Sequence, residues 1–211
     1  MPLETVELQL IDQYYPRSLT HIRTQVTCQR EPEDFKGALD VTTLRQLFPC
    51  SSLCCVNIRV MDICSFDLND SDLMEMAAPW PHLDELVLNR RNGWRRAPAT
   101  TFRGLAYLLR ACPRLHTLSL SMDATQLNFT PIGLVPNNKI QMLDLGNSII
   151  EEPAAVARIL GDIFGPLFRV YAWQMQTSDR REDRSRYAPL WAKVNSYLRK
   201  GLGNTRPYLP L

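Results

Sequence analysis

The stretch PRLHTLSL at residues 113–120 decides the fold, and its pattern already stands at residues 81–88 as PHLDELVL. Counted from the first leucine, apolar residues occupy relative positions 1, 4 and 6. The step from position 4 to position 6 has the period of an extended strand, so both side chains point to one face. Positions 3, 5 and 7 then point to the other face. Two such matches in a chain of ordinary composition indicate a protein built from repeats.

Further copies extend the pattern along the chain, with Thr24 as a polar exception: Leu3/Val6/Leu8, Leu19/Ile22/Thr24, Leu53/Val56/Ile58, Ile140/Leu143/Leu145 and Leu167/Val170/Ala172. This spacing of leucines is the strand signature of a leucine-rich repeat. Between the strands, apolar residues at helical spacing predict helices over 35–48, 70–78, 101–112 and 153–164. Proline, glycine and asparagine predict a loop over 125–138 instead.

Alternation of strands and helices favours a parallel sheet with right-handed crossovers. The sequence therefore predicts an α/β leucine-rich-repeat solenoid, a horseshoe with a parallel concave sheet and a helical convex side. The repeat domain is expected over residues 1–176, with clear repeats over 40–176 and an irregular start. Residues 177–186 lack apolar side chains and predict a charged linker. An amphipathic helix over 187–200 is expected to cap the solenoid through Trp191, before a flexible tail over 201–211.

The composition of the chain indicates which cellular compartment and which class of partner to expect. The 211 residues carry a formal charge of +2, which gives no general reason to expect nucleic acid or membrane as the partner. No apolar run has the length of a membrane span, and the first ten residues do not resemble a secretory signal. Six cysteines without metal-site spacing are typical of free thiols in a reducing compartment. An intracellular protein of the cytoplasm or nucleus is expected.

No catalytic, metal-binding or cofactor-binding constellation stands out in the sequence. The chain lacks a nucleophile elbow, a phosphate-binding loop and a dinucleotide fingerprint. His82 and His116 occupy the same position of two repeats, so repeat geometry explains them. We expect no enzymatic activity, no metal and no cofactor.

The predicted binding surface is the concave face of the sheet. Positions 5 and 7 of successive strands line up there, which gives Asn57, Arg59, Val87, Asn89, Ser119, Ser121, Asp144, Tyr171 and Trp173. Tyr171 and Trp173 belong to the residue types that most often dominate binding energy. An alternative is that the linker or the helix around Trp191 covers both rings, which would make them part of a cap.

A second candidate is an arginine-rich loop at the rim of the sheet. It contains Arg90, Arg91, Trp94, Arg95 and Arg96. Four guanidinium groups around an indole can grip an acidic peptide or a nucleic-acid backbone, with Trp94 stacking on a ring. Arginine-rich loops are also commonly just solvated, and both interpretations stay open.

Several motifs resemble those of the fungal F-box and leucine-rich-repeat proteins over roughly residues 40–200. They are LNDSDL (68–73) with MAAPWPHL (76–83), TFRGL (101–105) with CPRL (112–115), LDLGNSIIEEPAAV (143–156) and the pair Trp191 and Val194. In that family an F-box docks on a cullin ubiquitin-ligase adaptor, and the repeats recruit the substrate. Residues 1–211 show no Leu-Pro-x-Glu opening of an F-box, so adaptor docking would need an F-box outside this chain.

The favoured hypothesis is a protein–protein interaction module, in its most specific form the substrate-recognition part of an F-box ubiquitin ligase. Its partner would be a protein or a ubiquitylation substrate. One alternative is a stand-alone or truncated scaffold without a ligase role. The other is a nucleic-acid-binding module that uses the loop Arg90–Arg96.

Overall fold

The computed structural model describes residues 19–26, 38–60, 65–90, 93–129, 135–165, 169–174 and 181–201. Within these residues the fold is mixed α/β. The strands are β1 (His21–Val26), β2 (Ala38–Leu39), β3 (Cys55–Val60), β4 (Ser65–Phe66), β5 (Glu85–Leu88), β6 (Thr117–Ser119), β7 (Met142–Asp144) and β8 (Val170–Tyr171). The helices are α1 (Val41–Leu44), α2 (Asp70–Ala77), α3 (Phe102–Ala111), α4 (Pro153–Phe164) and α5 (Arg181–Arg199), and a 3₁₀ turn follows α1 at Arg45–Leu47.

Six strands form one sheet in the order β1-β3-β5-β6-β7-β8, and every neighbouring pair is parallel. The order in the sheet therefore follows the order in the chain, as expected when each strand is followed by a crossover to its neighbour. A second, short parallel pair joins β2 to β4. The predicted parallel sheet is confirmed.

The leucine pattern places the strands as predicted. Leu86, Leu118 and Leu143, at position 4 of three consecutive strands, are registered neighbours and fully buried. They belong to one apolar core together with the inner faces of the helices. Thr24, the polar exception, is half-buried in β1. The strand expected over Leu3–Leu8 lies outside the described residues.

The helices begin where local caps satisfy their first backbone N–H groups. Asn69 caps α2 and forms a capping box with Asp72. Thr101 caps α3, and the carboxylate of Asp70 accepts the Thr101 backbone N–H at 2.6 Å, which fastens the starts of α2 and α3 together. Pro153 occupies the first turn of α4.

Two predictions about helix extent need correction. The described part of the stripe over 35–48, residues 38–48, forms strand β2, the short α1 and its 3₁₀ turn. At the other end, α5 already begins at Arg181, so the charged segment over 181–186 is helical and is not a linker. Arginine and glutamate are good helix formers, so a segment without apolar residues can extend a packed helix. Residues 175–180 and 202–211 lie outside the described residues.

The segment between β6 and β7 contains no helix in its described part, 120–129 and 135–141, as predicted. Asn137 anchors it, donating from Nδ2 to the Leu115 carbonyl at 3.1 Å and from its backbone N–H to the Ile163 carbonyl at 2.8 Å. Across the described ranges, no helix has the length and apolar character needed to cross a membrane.

Candidate functional site

One face of the six-stranded sheet is turned away from the helices, and we call it the front face. Its side chains stand in registered rows that cross the strands. The first row is His21, Cys55, Glu85, Thr117 and Met142. The second row is Arg23, Asn57, Val87, Ser119, Asp144 and Tyr171. The predicted alignment of the position-5 residues is thus confirmed.

The expected exposure of the front face is wrong for most of the predicted binding residues. Six of them are buried: Val87, Asn89, Ser119, Ser121, Asp144 and Trp173. Asn57 and Tyr171 are half-buried, and Arg59 is exposed. Val87, Ser119 and Asp144 occupy adjacent interior strands, where each has a registered neighbour on both sides. A strand pattern specifies the face of a residue but does not specify its exposure.

The accessible groups fall into two neighbouring patches of the front face, which meet where Glu85 is registered with Thr117. The first surrounds Glu85, whose Oε1 accepts a hydrogen bond from Asn57 Nδ2 at 3.2 Å, while Oε2 lies 3.7 Å from Arg23 Nη2. Cys55 lies beneath them, buried, and contacts with Cys55 and Glu85 raise the pKa of Arg23. Burial raises the pKa of the Cys55 thiol, so it is protonated near neutral pH and is not an activated nucleophile.

The second patch surrounds Tyr171 at the last strand. The guanidinium of Arg169 lies over its ring, 4.8 Å from the centroid. Half-buried Met142 lies on the neighbouring strand β7, and half-buried Thr117 is registered with Met142 one strand further on. This patch therefore offers an aromatic ring, a cation, a thioether and a hydroxyl to a partner.

Trp173 belongs to the C-terminal cap and not to this patch. Its indole stacks on Tyr187 of α5, with centroids 5.4 Å apart, and its Nε1 donates to the Ser148 carbonyl at 2.8 Å. Trp191 of α5 donates to the same carbonyl at 2.9 Å. The predicted role of Trp191 as a packing anchor is confirmed. The alternative in which the C-terminal helix covers the aromatic residues is correct for Trp173, whereas Tyr171 stays half-exposed.

The rim loop differs from the prediction at its centre. Trp94 is buried, packs against Phe66 and donates from Nε1 to the Leu88 carbonyl at 3.3 Å, so it cannot stack on a ligand. Asn147 braces the loop, because its Oδ1 accepts the Trp94 backbone N–H at 2.6 Å and its Nδ2 donates to the Trp94 carbonyl at 2.8 Å. Gly93 has φ +66°, and a Cβ there would collide with the Asn147 amide.

The arginines of the rim loop have different surroundings. Arg90, Arg95 and Arg96 are exposed, and Arg91 lies outside the described residues. Arg96 forms an ion pair with Asp67, and its backbone N–H donates to Ser65 Oγ at 3.0 Å. Part of this loop is therefore anchored to β4 and the residue that follows it.

The described cysteines, Cys50, Cys54, Cys55 and Cys112, are free thiols. In this part of the chain, no group of three or more His, Cys, Asp or Glu side chains is arranged to hold a metal ion. The accessible side chains of the front face have the chemistry for ion pairs, hydrogen bonds and apolar contacts.

Sequence reasoning missed the first row, although the signal was present. Position 3 faces the same side of a strand as positions 5 and 7, so alternation alone points to Glu85, Thr117 and Met142. Arg169 precedes β8 at the equivalent position. These four residues are more accessible than most of the predicted ones. A comparison with family models and with curated proteins finds no match for this chain.

Proposed function

We propose that the chain is a leucine-rich-repeat solenoid that binds a protein partner through the two accessible patches of the front face. The observation that carries this proposal is the register of the sheet. Each strand contributes side chains at the same levels, so a partner that crosses the strands meets one residue per repeat. Repeat proteins commonly use such an extended surface for recognition.

The chemistry of the second patch supports a protein as the partner. Tyrosine and arginine are enriched among the residues that dominate protein interfaces, and methionine is enriched in interfaces generally. Tyr171, Arg169 and Met142 bring these three types together at one end of the front face. The first patch, around Glu85, supplies donors and acceptors that can fix the orientation of the same partner.

A substrate-recognition role in an F-box ubiquitin ligase is the more specific form of this proposal. Its support is the resemblance of residues 40–200, and it requires an F-box supplied outside residues 1–211. The scaffold alternative has the same front face but no link to a ligase. Recovery of cullin-ligase components with the chain separates the two.

The experiment is affinity purification of the full chain from cells, with quantitative mass spectrometry. The test variant is Tyr171→Ala with Arg169→Ala. The matched control is Tyr107→Ala with Arg110→Ala, which removes the same kind of pair from α3, where the guanidinium lies 5.0 Å from the ring centroid. We expect recurrent partners to be lost at least about tenfold with the test variant, since a central aromatic or arginine often contributes 2 kcal/mol or more. Equal recovery with both variants would contradict binding at this patch.

A further inference from the structure

The last quarter of the chain differs from the rest in net charge. Residues 166–211 contain nine Lys and Arg against three Asp and Glu, whereas residues 1–165 contain 15 against 19. The net charge of +2 therefore conceals a basic C-terminal region attached to a mildly acidic body. An asymmetry of this kind is a recognised sign of an interaction with an anionic partner.

Most of the described charge in this region lies on the outer side of α5. The inner side holds buried Trp191 and Val194. The cations are all exposed: Arg181, Arg184, Arg186, Lys193, Arg199 and Lys200, the last just beyond the helix end. The only carboxylates of α5, Glu182 and Asp183, lie in its first turn. The outer side is therefore basic along the rest of its length.

The spacing of these cations is regular. Arg186, Lys193 and Lys200 recur every seven residues, so they form one row with steps of about 10.5 Å. Arg181 and Arg199 are 18 residues, or about five turns, apart and form a second row. The strip between the rows carries short side chains: Ser185, Pro189, Ala192 and Ser196. We call the two rows and this strip the basic face.

The fold does not neutralise the basic face. No salt bridge among the described residues involves a cation of α5. The guanidinium carbon of Arg186 lies over the ring of Tyr187, 5.1 Å from its centroid. The helix dipole stabilises the positive charges of Arg199 and Lys200, because cations are favourable near a helix C-terminus. It disfavours Arg181 and Arg184 at the start of the helix, so stability does not explain these two residues.

We propose that the basic face docks an acidic α-helix of a partner protein, alongside α5. A seven-residue step matches a helix that presents Asp or Glu every two turns, and small residues between the rows allow a close approach, as in paired helices flanked by charges. A phosphate backbone has one charge per strand about every 3.4 Å, so its charges are about three times as closely spaced as the cations of one row. Docking on the basic face is independent of the front face.

The test measures binding of the full chain to two fluorescent helical peptides at low ionic strength. One peptide carries six Glu in two adjacent rows with seven-residue steps, and the other carries six Glu distributed around the helix. We expect the ordered peptide to bind about tenfold more tightly, because several modest exposed ion pairs add up only when they form together. Equal affinities, or no binding of either peptide, would overturn the proposal.

The charge-reversal variant is Arg186→Glu, Lys193→Glu and Lys200→Glu. The matched control reverses exposed Arg90, Arg110 and Lys139, which changes the net charge equally at sites outside α5. We expect the first variant to abolish binding and the control to retain it, with melting temperatures within about 2 °C of the wild type, since exposed substitutions rarely affect stability. Binding to single-stranded RNA or to phosphatidylserine vesicles that is tighter than binding to the ordered peptide would also overturn the helix assignment.

Discussion

The two edge strands of the six-stranded sheet differ in how described side chains bond to their backbone groups. At the last strand, the Asn195 side chain acts as a substitute for a further strand, accepting from the Val170 N–H at 2.8 Å and donating to the Val170 carbonyl at 2.9 Å. Beside it, two indoles converge on the Ser148 carbonyl. At the first strand, no described side chain makes equivalent bonds to the backbone of β1, and the Arg23 side chain is 67% exposed.

This difference shows that strand length does not measure how well a sheet is closed. β1 has six residues and β8 has two, yet among the described residues it is the short strand whose edge is bonded by a side chain. An unpaired edge exposes backbone groups that can pair with another chain, so proteins commonly cover such edges. In this molecule the Asn195 side chain of α5 bonds both polar backbone groups of Val170 at the C-terminal edge. The N-terminal end is expected to open first.

The largest effect is expected from Trp191→Ala. Because Trp191 is buried and bonded to Ser148, its loss should cost about 3–5 kcal/mol of unfolding free energy. Ile22→Ala at the other end should cost no more than about 2 kcal/mol, since β1 is only partly covered. Urea denaturation followed by circular dichroism measures both values. If Ile22→Ala proves the more costly substitution, the N-terminal end is not the one that opens first.

A smaller loss, about 1–3 kcal/mol, is expected for Asn195→Ala, because the Val170 N–H and carbonyl would lose their partners at a buried residue. Hydrogen exchange of the Val170 amide should accelerate at the same time. Ser196→Ala, at the adjacent half-buried position, is the control and should change neither quantity. Unaltered exchange in Asn195→Ala would show that another group seals the edge.

Thiol labelling compares the first strand with the centre of the molecule without changing the core. Burial raises the pKa of Cys112 to about 12 and also raises that of Cys55, so both thiols are protonated at pH 8 and react only after opening. Cys55 lies beside β1, whereas Cys112 lies between α3 and Trp80. In a Cys54→Ser variant, iodoacetamide should modify Cys55 before Cys112, as judged by peptide mapping. Equal labelling rates would indicate that the molecule opens as one unit.

The smallest effect is expected from Arg23→Ala. Its ion pair with Glu85 is long and solvated, so the melting temperature should not change measurably. Arg114→Ala, which removes the closer pair with Asp84 at 2.8 Å, is the comparison. A clear loss for Arg23→Ala alone would show that β1 is held more firmly than its exposure suggests.

Much of the sheet could be predicted because its signal is local. Leucines at positions 4 and 6 specify the strand, its inner face and its neighbours, as the registered set Leu86, Leu118 and Leu143 shows. The burial of Trp94 could not be predicted, because it depends on a bond to Asn147, which is 53 residues away. The edge bonds of Asn195 depend in the same way on packing between α5 and β8. The charged linker over 177–186 was also predicted wrongly for residues 181–186, since charged residues are compatible with a helix.

The bond between Trp94 and Asn147 can form only after both residues have been synthesised. During translation the loop that follows β5 is synthesised before Asn147. The bond to Asn147 cannot form until 53 further residues have been added. At ordinary translation rates this interval is about 3–10 s. During that time Trp94 lacks its closing partner, so a nascent chain paused before residue 147 presents an incompletely closed loop to chaperones. The completed brace then joins the loop that follows β5 to the turn that follows β7.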